Sequence, residues 1–220
     1  MYAGINVDFH GNKGEFHGSY SPVRHLTLSS NFLRVNSSFT SNDFTGFSTY
    51  RYKTKGHLWE AAVGGYYPVG YGTFAVYAGY GAGRMRHDYD LGRIADLRIA
   101  RYFVQPSFTY KSKWFRLGLA FRLAGLHYPH ADIDYRIEQN EIDVLRLIEA
   151  DTPFFMTEFG GNIGFYIKPI TIFAHGVLST HPGWSAYNFD ATNIGAGIGI
   201  DIQDISFKKE KKVKGKHKRK

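Results

Sequence analysis

Five charged residues lie in segments where apolar and polar residues alternate: Glu60, Arg101, Arg116, Arg122 and Glu158. In a strand, successive side chains point to opposite faces, so alternation places these charges on the polar face. If that face is enclosed, the charges must be paired with one another. Arginine and glutamate on one enclosed face predict a structural ion-pair network. The alternative is a narrow polar pore or proton path.

A second group of potential ligands comprises His127, His130, Asp132 and Asp134, within the sequence His-Tyr-Pro-His-Ala-Asp-Ile-Asp. Imidazole and carboxylate groups bind divalent cations. This spacing matches no specific metal site, however, and a solvated outer loop explains it more simply. We therefore predict no metal ion and no cofactor.

A hydrolytic site would need a serine, a histidine and an acid that converge, because such triads are defined by geometry. Ser179 and His181 are close in sequence, and Glu158 falls on a neighbouring segment. The alternation nevertheless puts Glu158 on the enclosed face. We expect no enzymatic activity and keep a lipid-modifying enzyme as the weakest alternative.

The positive charge of the chain is concentrated at its end. Of the formal net charge of +8, residues 208–220 supply all of it, with eight Lys, one Arg and one Glu. The remaining residues are neutral overall, so nucleic-acid binding by the folded part has no electrostatic support. We predict a disordered tail that contacts a periplasmic partner or anionic lipid through Lys208, Lys209, Lys211, Lys212, Lys214, Lys216, Lys218, Arg219 and Lys220.

The elements that position these residues are predicted to be strands. The 220 residues include 16 Tyr, 18 Phe, 25 Gly and no Cys, and no run of 18 apolar residues occurs, which excludes a transmembrane helix. Between Phe115 and Leu123 every second residue is apolar and large. The same reasoning predicts ten strands, near residues 2–10, 14–21, 25–35, 57–67, 73–85, 99–110, 114–127, 154–166, 170–180 and 189–203.

The connections between these segments alternate in length. Short turns are followed by longer connections over residues 36–56, 86–98, 128–153 and 181–188. Outer-membrane barrels have short periplasmic turns and long extracellular loops. We therefore predict an all-β, closed antiparallel transmembrane β-barrel of about ten strands, eight being possible, over residues 1–207. It would lie in the Gram-negative outer membrane, with both termini periplasmic.

A family likeness supports this prediction. The segments Tyr20–Leu26, Tyr77–Arg84 and Tyr102–Phe108 resemble those of small outer-membrane β-barrel proteins of Bacteroidota. The resemblance extends to about Phe207 and brings no catalytic residues. Some members of that family are parts of larger secretion or assembly complexes, which implies membrane lipid and protein partners.

Together these observations favour a non-enzymatic barrel that acts as an accessory or structural subunit of a multiprotein outer-membrane complex. In this hypothesis the loops contact surface partners and the basic tail contacts periplasmic ones. The first alternative is a passive narrow channel for small solutes.

Overall fold

The computed structural model describes residues 2–8, 12–42, 49–89, 94–134, 154–180 and 192–202. Ten strands follow in chain order: β1 (Tyr2–Asp8), β2 (Asn12–Tyr20), β3 (Leu26–Asn42), β4 (Thr49–Val69), β5 (Gly72–Tyr89), β6 (Ile94–Lys111), β7 (Phe115–Ile133), β8 (Phe154–Ile167), β9 (Ile170–Thr180) and β10 (Thr192–Asp201). Each strand pairs antiparallel with the next, and β1 pairs with β10, so the sheet closes into a barrel. The predicted closed antiparallel barrel of about ten strands is confirmed. In the described part of the chain, no helix has the length and hydropathy of a membrane span.

The strands β3 to β7 are longer than the alternation predicted. Residues 36–42 and 49–56 continue β3 and β4, and β5 to β7 likewise extend into the predicted connections 86–98 and 128–153. The predicted limits of these loops were therefore wrong. Hydrophobic alternation marks only the part of a strand with one apolar face, whereas the backbone ladder continues where both faces carry polar residues.

The outer surface carries a continuous apolar belt. Its outward-facing runs span nine residues on β4 (Trp59–Tyr67), nine on β5 (Phe74–Ala82) and eleven on β6 (Ala100–Tyr110). One end of each run lies near a short turn. Tryptophans stand near both edges of the belt, with Trp59 49% and Trp114 63% exposed. A tilted strand needs about 9–11 residues to cross a bilayer. The belt therefore has the height and composition of a lipid-facing surface.

An irregularity in β7 changes which residues face outward. The register between β6 and β7 shifts between Arg98 and Ala100, so that Ala100 is opposite His127 whereas Arg98 is opposite His130. One extra residue on β7 accounts for the shift. Across Pro106 the register is unchanged, so the proline does not cause a bulge.

Candidate functional site in the barrel lumen

Four of the five predicted charges meet inside the barrel. Glu60 lies on β4, Arg101 on β6, Arg122 on β7 and Glu158 on β8. They point inward because their neighbours along each strand, such as Trp59 and Tyr102, point outward. Closure of the sheet brings these four strands around one concave wall.

Each arginine of this group contacts both glutamates. Arg101 forms an ion pair with Glu158, and its Nη1 lies 3.4 Å from Oε1 of Glu60. Nη1 of Arg122 lies 3.3 Å from Oε2 of Glu60 and 3.5 Å from Oε2 of Glu158. We call these four residues the lumen cluster. It has no net charge, and its members offset one another's desolvation.

Neighbouring residues hold the lumen cluster in place. Arg122 Nε donates to Oε1 of Gln105 at 2.7 Å, and its guanidinium lies 4.3 Å from the ring centre of Phe103. Ser179 on β9 donates to Oε1 of Glu158 at 3.4 Å. Glu60 has room because Gly81 faces it: a Cβ at Gly81 would lie 2.8 Å from Cγ of Glu60.

The fifth predicted charge, Arg116, is not part of the lumen cluster. Its Nη2 lies 3.0 Å from Oδ2 of Asp201 at the turn end of β10, which Lys111 also approaches at 3.3 Å. The guanidinium of Arg116 stacks on Tyr166 at 4.2 Å. The prediction that all five charged residues form one network was wrong. Residues on the same face of their strands can lie at different heights along the barrel. Asp201 is a site residue that the sequence analysis missed.

The inner surface also changes along the length of the barrel. Beyond the lumen cluster, toward the longer connections, the inward side chains of Leu97, Leu126 and Tyr128 on β6 and β7 are 2%, 6% and 4% exposed and form a packed apolar layer. On the opposite strands β2 and β3, Glu15 and Asn31 are partly exposed. Within the lumen cluster, the side chain of Arg101 is nearly buried at 11% exposed, whereas that of Arg122 is 21% exposed.

The predicted loop ligands lie mostly in a strand. His127, His130 and Asp132 belong to β7, which corrects their assignment to an outer loop, and Asp134 directly follows that strand. Within the described ranges, no three His, Asp or Glu residues come close enough to hold a metal ion.

Two other predictions concern residues whose structure is outside the described ranges. One is the hydrolytic group, of which Ser179 and Glu158 are in contact while His181 lies in 181–191. The other is the basic tail, since residues 203–220 are not among those described.

Comparisons with known proteins give distant structural likenesses. No family model matches the sequence, and no curated protein matches it. A solved structure described as KdgM porin has a TM-score of 0.40 and 11% identity, and the match covers 91% of this chain and 99% of that one. A structure of NanC porin has a TM-score of 0.39 and 14% identity, with 91% and 97% covered. Outer-membrane expressed OmpT of Vibrio cholerae has a TM-score of 0.34 and 14% identity, with 86% and 56% covered.

These TM-scores are below 0.5, so the class of the protein rests on its own architecture. A closed antiparallel sheet leaves no unpaired edge, which is the condition for a sheet to span a bilayer. An apolar belt outside and paired charges inside complete the pattern. The chain is a transmembrane β-barrel of the outer-membrane type.

Proposed function

We propose that this protein is a narrow passive channel for small polar solutes, with the lumen cluster as its constriction. The observation that supports this most directly is that paired charges line the inside of a closed barrel, where the side chain of Arg122 keeps 21% of its surface exposed. Rings of charged side chains select and slow solutes in narrow pores. We therefore favour the channel, the first alternative predicted from the sequence, over the accessory role.

The path for a solute would follow the polar residues of the lumen. Asn162 on β8 is inward-facing and exposed, and Asn31 on β3 is inward-facing and half-buried. Beyond the lumen cluster, the apolar layer of Leu97, Leu126 and Tyr128 narrows the remaining space. Because the lumen cluster is neutral, the unmodified channel has no strong preference for either sign of charge.

Planar bilayer recordings of the full-length protein test this proposal. We expect small discrete conductance steps with weak ion selectivity. Glu60→Gln with Glu158→Gln leaves two arginines and shifts the reversal potential toward anion selectivity, whereas Arg101→Gln with Arg122→Gln shifts it toward cations. A matched control is Arg34→Gln with Arg98→Gln, which removes two charges from the outer surface. Absence of steps in correctly folded protein would exclude the channel.

A second candidate is the accessory subunit of an outer-membrane complex, with both termini in the periplasm. It is supported by the charge of +8 carried by residues 208–220, a density suited to an acidic protein or anionic lipid. Purification from native membranes tests it: partner proteins should be lost on deletion of 208–220. Replacement of the tail by an uncharged Gly-Ser segment of equal length separates charge from length.

A further inference from the structure

Outward-facing basic residues form a continuous row across five strands. Arg34 is opposite His57, His57 is opposite Arg84, Arg84 is opposite Arg98, and Arg98 is opposite His130. All five side chains are exposed. Adjacent strands are about 4.8 Å apart, so this basic row extends about 19 Å around the barrel. It combines residues between sequence positions 34 and 130.

The basic row lies directly above the apolar belt. One step closer to the short turns, the outward residues in the same strands are Phe32, Trp59, Ala82, Ala100 and His127. One step further away, Lys55 lies opposite Arg86, and this rung continues with Asp96 and Asp132. The row therefore stands where the hydrocarbon surface ends, which is the height of the lipid headgroups.

Two of the three arginines of the basic row have no ion-pair partner among the described residues. Arg84 Nε donates to Oδ1 of Asp96 at 2.7 Å, and Arg86 Nε donates to Asp88 at the same distance. Neither Arg34 nor Arg98 forms an ion pair with any residue in the described ranges. Guanidinium groups bind phosphate with two parallel hydrogen bonds, so these two arginines are suited to a phosphate ligand.

We propose that the basic row binds the phosphate groups of anionic lipids in the leaflet on the side of the longer connections. A lipid fits better than a soluble anion because its acyl chains would lie on the apolar belt beneath the same residues. This site is separate from the basic tail, which follows β10 at the turn end of the barrel. It does not depend on conduction through the lumen.

Quenching of Trp59 fluorescence by brominated lipid tests the proposal, because Trp59 lies one step below the row and its Nε1 donates to Ser30 at 3.1 Å. The reporter is full-length protein with Trp114→Phe and Trp184→Phe, in vesicles of phosphatidylcholine and phosphatidylglycerol with bromine only on the latter. We expect Trp59 to be quenched more strongly than random mixing of the two lipids would give at the mole fraction of phosphatidylglycerol present. Arg34→Gln with Arg98→Gln should lower the relative affinity about fivefold for each basic residue lost.

Two controls make the result specific. Arg24→Gln with Lys113→Gln removes equal charge from exposed positions near the short turns and should leave Trp59 quenching unchanged. A second reporter that keeps Trp114 instead of Trp59 should not respond to loss of Arg34 and Arg98. If Trp59 of the parent reporter is quenched only to the extent expected from random mixing of the two lipids, the proposal is overturned. So would binding of a soluble acidic polypeptide through the row without any lipid preference.

Discussion

Arg101 on β6 and Glu158 on β8 form an ion pair that crosses over β7, although 57 residues separate them in sequence. The two strands are not neighbours in the sheet, so only the curvature of the barrel brings the side chains together. This pair connects two hairpins inside the lumen. The effect of this pair on the free energy of unfolding and its effect on conductance through the lumen can be measured in separate experiments.

The first prediction concerns this pair. Arg101→Ala removes the nearer of the two arginines that neutralise Glu158 in a largely buried position, and removal of one partner of a buried pair costs about 3 kcal/mol. Urea unfolding of the refolded barrel in lipid vesicles measures the loss. In a double-mutant cycle, Arg101→Ala with Glu158→Ala should cost less than the sum of the single changes. Additive effects would show that the two residues are not coupled.

The second prediction tests which surface meets lipid. Leu119 faces outward in the belt and is 54% exposed. Leu119→Arg should lower the free energy of unfolding in vesicles by about 2–4 kcal/mol, because a charge near the bilayer midplane is desolvated. Ser38→Arg lies on the same outer face beyond the belt, where the cost falls to about 0–1 kcal/mol. Equal effects at the two positions would contradict the transmembrane orientation.

The third prediction compares two glycines with different neighbours. A Cβ at Gly83 would lie 2.3 Å from the backbone carbonyl oxygen of His57, whereas at Gly125 it would meet the ring of Tyr102 at 2.1 Å. The Tyr102 ring can rotate away into lipid, but the backbone of β4 cannot move without breaking the ladder. Gly83→Ala should therefore cost about 1–3 kcal/mol, and Gly125→Ala clearly less. Comparison of urea midpoints measures the difference, and a larger effect at Gly125 would refute this explanation.

The fourth prediction depends on the proposed channel. Asp201 is the shared acceptor of Lys111 and Arg116 at the turn end of the lumen. Asp201→Asn leaves two positive charges there, so the reversal potential should shift toward anions while conductance steps persist. Asp201→Glu preserves the charge and should retain the parent selectivity. A shift toward cations would contradict the assigned electrostatics.

The fifth prediction concerns catalysis. Ser179 donates to Glu158, and we expect that contact to serve the lumen cluster rather than hydrolysis. Incubation of purified protein with phospholipid or lipid A should leave the lipid masses unchanged, and Ser179→Ala should leave conductance steps in place. A mass change that Ser179→Ala abolishes would establish an enzyme instead.

The sequence alone was sufficient for the class of fold. Alternation of large apolar residues with small or polar ones, as between Phe115 and Leu123, is a local property that depends only on neighbours along one strand. It located all ten strands and the segments that cross the membrane. It also indicated that Glu60, Arg101, Arg122 and Glu158 share the inner face, because the side-chain period of a strand is two.

Only the tertiary structure decided which of these residues meet. The alternation along a strand specifies which face a side chain is on but not its height along the barrel. It therefore could not separate Arg116, which pairs with Asp201, from the lumen cluster. It likewise could not align Arg34 with Arg84 and Arg98 in a basic row, because register between strands sets that alignment. The folded part is neutral in total charge, and strand pairing and barrel closure determine where its positive and negative charges lie.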